Sequence, residues 1–349
     1  MARTWTMRNK LAALLMLLLP GAAAADQLIP DAPQGPAKVR FAEDFPRLTD
    51  HQWGFVVGGF GGITKNAALH HVPLIMVHGN DVDHGDWYPV RDDFHAAGWT
   101  DQELWGLSYN GAGGANGSAL TRQNPERDAE HQELCGAAGC PAVVTSNVVN
   151  VPDLYHFILA VRIYADSSKF SIAAHSLGVT LARKVLKVHP ELREDLVAFV
   201  AIAGANHGTT FCPEGSQGQL NSCDEIAAGT PWLAELNGPD GNDESYGPAR
   251  WLTVYDGSGA GDPAFVGPAY AQSPALKGAD NRQYPNTYHN DLRIDAPIVQ
   301  DYREFIEQAE SAGGATREGG GVVLGALTPQ LLLGLGLSLL LRGRRHPRT

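Results

Sequence analysis

The chain has 349 residues, of which 44% are hydrophobic and 8% aromatic, enough to bury a sizeable core and to exclude wholesale disorder. Its formal net charge is −12, and without the seven basic residues at its two ends it holds 19 basic against 38 acidic residues, a net charge of −19. Such a body repels polyphosphates, so we expect no nucleic-acid partner. The seven terminal basic residues are Arg3, Arg8, Lys10, Arg342, Arg344, Arg345 and Arg348.

Residues 1–25 have the pattern of a secretory signal peptide. Three basic residues precede the apolar stretch Leu11 to Leu19, which is too short to span a membrane as a stable helix, and Ala23 to Ala25 offers small residues to a signal peptidase. We therefore expect an exported protein that is periplasmic, on the cell surface or extracellular. An uncleaved anchor is the alternative.

Residues 26–70 are predicted to form an N-terminal arm with a first strand, and residues 71–312 a catalytic domain. In this region short apolar runs alternate with segments of helical periodicity, as in strands joined by crossover helices. The predicted strands are Phe55–Phe60, Val72–Val77, Glu103–Tyr109, Lys169–Ala174, Leu196–Ala203 and Arg250–Tyr255. The predicted helices are Trp87–Ala97, Val148–Tyr164, Leu177–Val188 and Ala296–Gln308. This order predicts an α/β fold with a mostly parallel central sheet and helices on both faces.

Two long excursions interrupt the pattern, at residues 110–146 and 204–249. Loops of this length in a compact domain usually form lids or the walls of a binding site. Trp232 and Phe211 in the second excursion are expected to belong to an apolar lid. The stretch Asn80 to Asp86 is rich in oxygen ligands but lacks the spacing of a calcium loop, and we expect a solvated loop there.

Residues 313–349 combine a Gly-rich linker, the hydrophobic run Val322 to Leu341 and a basic tail. The run has about the length of a membrane-spanning helix, and the basic residues after it are typical of a cytoplasmic stop. The layout resembles bacterial C-terminal sorting signals of the Gly-Gly type, which an intramembrane protease cuts. A one-pass tail anchor is the alternative, and both predict membrane association through this segment.

The four cysteines agree with export to an oxidising compartment. They form two local pairs, Cys135 with Cys140 and Cys212 with Cys223, although four cysteines allow three connectivities. Local disulfides would staple the two excursions. A metal site is the weaker alternative because no matching histidine spacing accompanies the cysteines, so no metal is expected.

The strongest chemical signal is the sequence AHSLG at residues 174–178, between a predicted strand and a predicted helix. A sharp strand-to-helix turn lifts the hydroxyl of Ser176 above the sheet, and small residues two positions before and after it allow close packing. The first small residue is Ala rather than the usual Gly. The dipole of the following helix favours negative charge beside Ser176.

The order VPLIMVHGN, ELWGLSYNG, FSIAAHSLGVTLA and VAIAGANHG resembles bacterial lipases of the class 2 type, over roughly residues 70–310. It is also similar to extracellular polyhydroxyalkanoate depolymerases, which share the AHSxG turn. The resemblance implies the α/β-hydrolase fold and a serine hydrolase that acts on apolar esters, without a cofactor. In such a site the N–H of Leu177 and, by resemblance to lipases, the N–H of Asn80 hold the oxyanion.

A serine hydroxyl needs a histidine to accept its proton and a carboxylate to orient that histidine. In this fold the chain order is Ser, acid, His, and His289 lies in a loop just before the final predicted helix. Asp256 and Asp262 both follow the strand Arg250–Tyr255. We expect Asp262 to be the acid and keep Asp256 as the alternative.

These residues predict an exported lipase or esterase that uses Ser176, His289 and Asp262 on a lipid or polyester substrate. A polyhydroxyalkanoate depolymerase is the alternative within the same chemistry. A surface protein that binds through a hydrolase fold without catalysis is the alternative of another class.

Overall fold

A computed structural model describes residues 41–42, 44–45, 59–62, 68–80, 82, 84–107, 147–214 and 221–312, and the statements below concern these residues. All of them lie in the unit Arg40–Thr349. The predicted signal peptide, the predicted pair Cys135–Cys140 and the C-terminal segment 313–349 lie outside the described residues.

Seven strands form one sheet in the order β1-β3-β2-β4-β5-β6-β7. β1 pairs with β3 in antiparallel orientation, and every other pair is parallel. Their bounds are β1 Gly59–Phe60, β2 Leu74–Val77, β3 Leu104–Leu107, β4 Phe170–His175, β5 Leu196–Ile202, β6 Arg250–Tyr255 and β7 Asp280–Gln283. This mostly parallel sheet with crossover helices confirms the predicted α/β-hydrolase fold.

The helices of the described residues are α1 Tyr88–Ala96, α2 Asn147–Tyr164, α3 Leu177–Val188, α4 Asn221–Ile226, α5 Pro231–Asn237, α6 Asp291–Ile294 and α7 Ala296–Ala312. Short 3-10 turns lie at His84–Trp87, Pro190–Leu192 and Pro263–Phe265. The bounds of α3 and β6 are those predicted. The final helix continues four residues beyond its predicted end at Gln308.

The core lies on both faces of the sheet, because β2, β3 and β4 are buried along their whole lengths. On one face, side chains of α2 and α3 such as Phe157 and Leu181 join those of Ile172 and Phe199 in a single hydrophobic cluster. On the other face, α7 packs against β5 and against α1. Strands buried on both sides read as continuous apolar runs, which is why they are visible in the sequence.

The second excursion is not a lid around Trp232. This side chain is only 9% exposed and belongs to the main hydrophobic cluster together with Leu233 and Leu236 of α5. The Lys184 ammonium lies 4.6 Å from the centre of its ring. The prediction for Trp232 was therefore wrong, because α5 turns its apolar face towards α3.

No helix among the described residues combines the length and the apolar character needed to cross a bilayer.

A cluster of carboxylates ties the amino end of β2 to α7. The ring of His71 stacks on Trp99, and its Nδ1 donates to Glu310 Oε2 over 2.8 Å. Glu310 also accepts from Val72 N at 3.1 Å, and Glu103 accepts from His71 N at 3.0 Å. Burial lowers the pKa of His71, but the bond to Glu310 and the charges of the neighbouring glutamates outweigh it and raise the pKa above the ordinary 6.5.

We predict that His71 stabilises the fold at acid pH. A raised folded-state pKa adds stability that is fully present below about pH 6.5, and this stability is lost as pH rises through the folded-state pKa. The difference in unfolding free energy between wild type and His71→Phe should therefore shrink from about pH 5 to about pH 8.5 in urea titrations. A difference that grows with pH would contradict the ion pair.

Candidate functional site

Ser176 occupies the turn between β4 and α3 with a strained backbone. Its φ is 55° and its ψ −126°, a combination that residues with a side chain rarely adopt. The N–H of Ser176 donates to the carbonyl of Ile202 on β5 at 2.8 Å, and the carbonyl of Ser176 accepts from Val179 N at 3.0 Å. The neighbouring strand and the first turn of the helix thus fix the turn from both sides.

The glycines around this turn allow the backbones to come into contact. A Cβ on Gly178 would lie 2.2 Å from the carbonyl oxygen of His78, and a Cβ on Gly79 would lie 2.9 Å from the Cβ of Ser176. The loop after β2 therefore lies directly against the serine turn. Leu177 is the first residue of α3, so its N–H has no acceptor within the helix and is available to a ligand. Asn80, the other predicted donor, lies exposed at the end of the same β2 loop.

His289 and Asp262 come together from two different loops. The His289 ring donates from Nδ1 to Oδ2 of Asp262 at 2.8 Å. Asp262 is fully buried, and its other oxygen, Oδ1, accepts from Ala264 N at 2.8 Å. A Cβ on Gly261 would lie 2.5 Å from the carbonyl carbon of Asn286, so glycine is needed for the two loops to meet.

Asp256 binds its own turn instead. Its carboxylate accepts from Ser258 Oγ, from the backbone N–H groups of Gly259 and Gly261, and from Asn286 N. Burial raises the pKa of Asp256, but these hydrogen bonds outweigh it and lower the pKa below its ordinary value. The structure thus places Asp262, rather than Asp256, against His289.

His175 connects the serine turn to the histidine loop. Its ring is almost fully buried, its Nε2 donates to the carbonyl of His289 at 3.2 Å, and the two ring centres are 4.7 Å apart. Since Ser176 follows His175 directly, the loop that carries His289 lies beside the serine turn. Burial and the positive charges of its surroundings lower the pKa of His175 well below its ordinary value, so the ring is neutral.

A buried ion pair joins the histidine loop to the segment that follows the β2 loop. Arg293 of α6 pairs with Asp86, and its guanidinium lies 5.6 Å from the ring centre of Trp87. Tyr302 Oη donates to the carbonyl of Arg293 at 2.9 Å. The prediction of a solvated loop was wrong for its last residues, because Asp86 and His84 are buried. No local pattern marks a partner that lies 207 positions away.

The loop after β5 is fixed by a buried cation that sequence reasoning missed. Arg183 of α3 donates to the side-chain oxygens of Asn206 at 3.0 Å and Asn237 at 2.8 Å. His207, next along the loop, contacts Glu244 Oε1 through Nε2 at 2.7 Å. The sequence did contain one signal of this buried contact, because Arg183 is a charged residue among apolar neighbours in an amphipathic helix.

A disulfide joins Cys212 to Cys223, with Cα atoms 5.1 Å apart. It closes the segment that follows this loop, at the pair of cysteines for which a local disulfide was predicted. Among the described residues, no group of three or more His, Cys, Asp or Glu side chains could hold a metal ion.

Residues 139–247 match the family model of lipase (class 2). This segment contains the serine turn, and the sheet topology provides the fold around it. The chain has the α/β-hydrolase fold, and this segment of it is similar to lipases of class 2. The matched segment holds Ser176 and Leu177 but not Asn80, Asp262 or His289, so the match does not bear on the roles predicted for those three residues.

Comparison with solved structures gives distant neighbours of this chain. Lipase B of Aspergillus fumigatus is 17% identical with a TM-score of 0.42, and the match covers 64% of this chain but only 47% of that lipase. A hydrolase of Thermoplasma acidophilum described as CIB-like is 12% identical with a TM-score of 0.43, over 75% of this chain and 97% of that chain. Among curated proteins, no sequence matches this chain.

We predict that the ring of His175 stays neutral in mildly acidic solution. With its pKa well below 6.5, the ring should keep its proton on Nε2 from about pH 8 to about pH 5. In protein with ¹⁵N-labelled histidine, the resonances missing from the variant His175→Gln identify this ring. An imidazolium signal at those positions near pH 6 would contradict the lowered pKa of this buried ring.

Proposed function

We propose that the protein is an exported serine hydrolase of carboxylic esters, with Ser176 as nucleophile, His289 as base and Asp262 as acid. The observation that carries the proposal is the buried Asp262–His289 pair on a loop that bonds to His175, the residue before the strained Ser176. Three distant parts of the chain thus lie around the Ser176 turn, and this arrangement supports acyl transfer through its hydroxyl.

The geometry supports a two-step reaction. Since Nδ1 of His289 donates to Asp262, Nε2 is the ring nitrogen that accepts the proton of Ser176. The serine oxygen attacks the ester carbonyl, and the N–H groups of Leu177 and Asn80 stabilise the oxyanion. His289 passes the proton to the leaving alcohol, and an acyl-enzyme forms. Water activated by His289 then releases the acid and restores Ser176.

The class 2 lipase match favours an apolar ester such as a lipid as substrate. A polyhydroxyalkanoate depolymerase would use the same residues. Release of fatty acid from triolein, against release of hydroxybutyrate oligomers from the polyester, distinguishes the two substrates.

The proposed location follows from the two ends of the chain. A cleaved signal peptide at residues 1–25 would export the protein, and a disulfide between Cys212 and Cys223 is consistent with an oxidising compartment. Residues 313–349 would attach it to a membrane or be removed by a sorting protease.

We predict that Ser176→Ala abolishes hydrolysis of dissolved nitrophenyl esters, because loss of a triad nucleophile costs on the order of 10⁶ in kcat. Ser171→Ala, at a buried serine of β4, the strand that precedes the turn, is the matched control and should stay within about tenfold of wild type. Activity that survives in Ser176→Ala would refute the assignment. Inactivity of the folded wild type on every ester tested would favour the non-catalytic binding protein.

The two candidate acids should separate by their effects. Asp262→Asn removes the acceptor that fixes the tautomer of His289, and we expect kcat/KM to fall by roughly 10⁴. Asp256→Asn should act mainly on stability, because the lowered pKa of Asp256 stabilises the fold above its unfolded-state pKa and loses this effect as pH falls. Steady-state kinetics of both variants measure the change in kcat/KM, and urea unfolding measures the change in stability. The reverse pattern would make Asp256 the acid.

A further inference from the structure

A permanent positive charge is buried close to the proposed base. Arg293 is 2% exposed and lies on α6, four positions after His289. The bond from Leu292 N to the carbonyl of Tyr288, at 3.1 Å, ties the start of α6 to the loop that carries His289. A guanidinium group does not give up its proton in a protein, so this charge is present at every pH at which the protein is folded.

The carboxylate of Asp86 compensates this charge. Among the described residues, Asp86 is the one acidic side chain in ion-pair contact with Arg293, and both side chains are buried. The guanidinium lies 5.6 Å from the ring centre of Trp87, and Tyr302 Oη donates to the carbonyl of the same arginine. Because protein rather than water surrounds the pair, solvent would screen Arg293 only weakly if the carboxylate were absent.

The charge of Arg293 acts on the histidines of the candidate site. Burial, then the neighbouring His289, then Arg293 lower the pKa of His175. His175 in turn donates to the carbonyl of His289 at 3.2 Å, and the two ring centres are 4.7 Å apart. The rings of His175 and His289 therefore share one region of low polarity, within reach of the Arg293 charge.

The other acidic groups near His289 do not compensate Arg293. Asp262 already pairs with Nδ1 of His289, and Asp291 and Asp295 are exposed, so water screens their charges. The charged and titratable groups on the elements around His289, besides Arg293, are Asp262 after β6, His175 on β4, His78 after β2, Asp86 in the 3-10 turn, and Asp291 and Asp295 of α6.

The proposed acyl transfer creates a second positive charge in this region. When His289 takes the proton of Ser176 it becomes an imidazolium, and Asp262 balances that charge. Another cation nearby would oppose the imidazolium, because like charges repel strongly where the dielectric constant is low. Without Asp86, Arg293 would be such a cation.

We propose that Asp86 is a positioning residue of this reaction, which neutralises Arg293 so that His289 can take up a proton. The inference rests on the proposed function and adds a residue that acts through Arg293 rather than by touching the substrate. The same contact joins the turn after the β2 loop to α6, so it also holds the loop of Asn80 in place relative to His289.

The test compares Asp86→Asn with Asp86→Asn/Arg293→Gln. The single variant leaves the cation uncompensated, and the double variant removes both charges. Asp195→Asn is the matched control, because Asp195 pairs with Arg162 Nη2 at 2.6 Å but directly precedes β5, at the end of the sheet opposite Ser176. For each folded protein, kcat and KM for dissolved nitrophenyl acetate are measured from about pH 5 to about pH 9.

We expect the acid limb of the kcat/KM profile to move to lower pH by about 0.5 to 1 unit in Asp86→Asn, because the uncompensated cation opposes protonation of His289. The plateau of kcat should fall about tenfold or more with KM within about threefold, since the imidazolium forms in the chemical step and not on binding. In the double variant the acid limb should return to within about 0.2 units of wild type, and Asp195→Asn should leave it unmoved.

A purely structural role of the ion pair would lower activity in the single and the double variant without moving the acid limb. An acid limb that keeps its wild-type position in Asp86→Asn, or that stays displaced in the double variant, would therefore overturn the proposal. If Asp86→Asn does not fold, Asp86→Ser takes its place, because its smaller side chain admits water beside Arg293. A smaller shift in the same direction is then expected, and an unmoved acid limb would again overturn the proposal.

A second measurement separates this proposal from the proposed function. In protein with ¹⁵N-labelled histidine, the resonances missing from His289→Gln report the protonation of His289 without any substrate. If wild type hydrolyses no ester but the titration of His289 moves to lower pH in Asp86→Asn, the charge compensation holds and the proposed catalysis is wrong. If wild type hydrolyses esters through Ser176 and this titration does not move, catalysis holds and the charge compensation is wrong.

Discussion

Ser176 has a left-handed φ of 55° with ψ −126°, a conformation that persists only where the surroundings hold it. The register of β4 against β5 supplies one restraint, through the bond from Ser176 N to Ile202 O. The packing of α3 under the β2 loop supplies another, since Gly178 contacts the backbone of His78. The stability of the sheet thus maintains a strained turn at Ser176.

The rest of the site is connected to this turn by buried polar contacts. His175 binds the carbonyl of His289, and Arg293 pairs with Asp86 beyond the β2 loop. Because each of these groups is desolvated, breaking one partner would leave an unpaired buried polar atom, which costs more than the bond itself contributes. The loops that carry the proposed oxyanion donor, the base and the acid are therefore held in one arrangement before substrate arrives, which is what electrostatic stabilisation of a transition state requires.

Much of the fold could be predicted from sequence because its strands are buried on both sides. β6 and α3 have clear apolar patterns with polar or Gly boundaries, and their bounds were predicted correctly. β7 was missed because its sequence DNRQ is polar, as an edge strand next to solvent allows. Trp232 was misassigned because a long excursion suggested a lid, whereas the amphipathic α5 within it packs on the core.

The residues of the candidate site also differ in whether a local sequence pattern reveals them. The serine turn is local, so its residues could be found from spacing alone. Asp256 accepts a hydrogen bond from Ser258 in its own turn, whereas Asp262 pairs with His289, and only the folded structure distinguishes the two carboxylates. The pair of Asp86 with Arg293 likewise depends on contacts across the whole domain. Neither leaves a local pattern in the sequence.

The central claim is that one strained serine is the reactive nucleophile. Its most direct test is to inactivate the folded protein with a stoichiometric dialkyl nitrophenyl phosphate, digest it and locate the added phosphoryl group by mass spectrometry. If Ser176 is the nucleophile, a single modification is expected on the peptide that contains it, with one nitrophenolate released for each chain. Modification at a different residue, or none in a correctly folded protein, would contradict it.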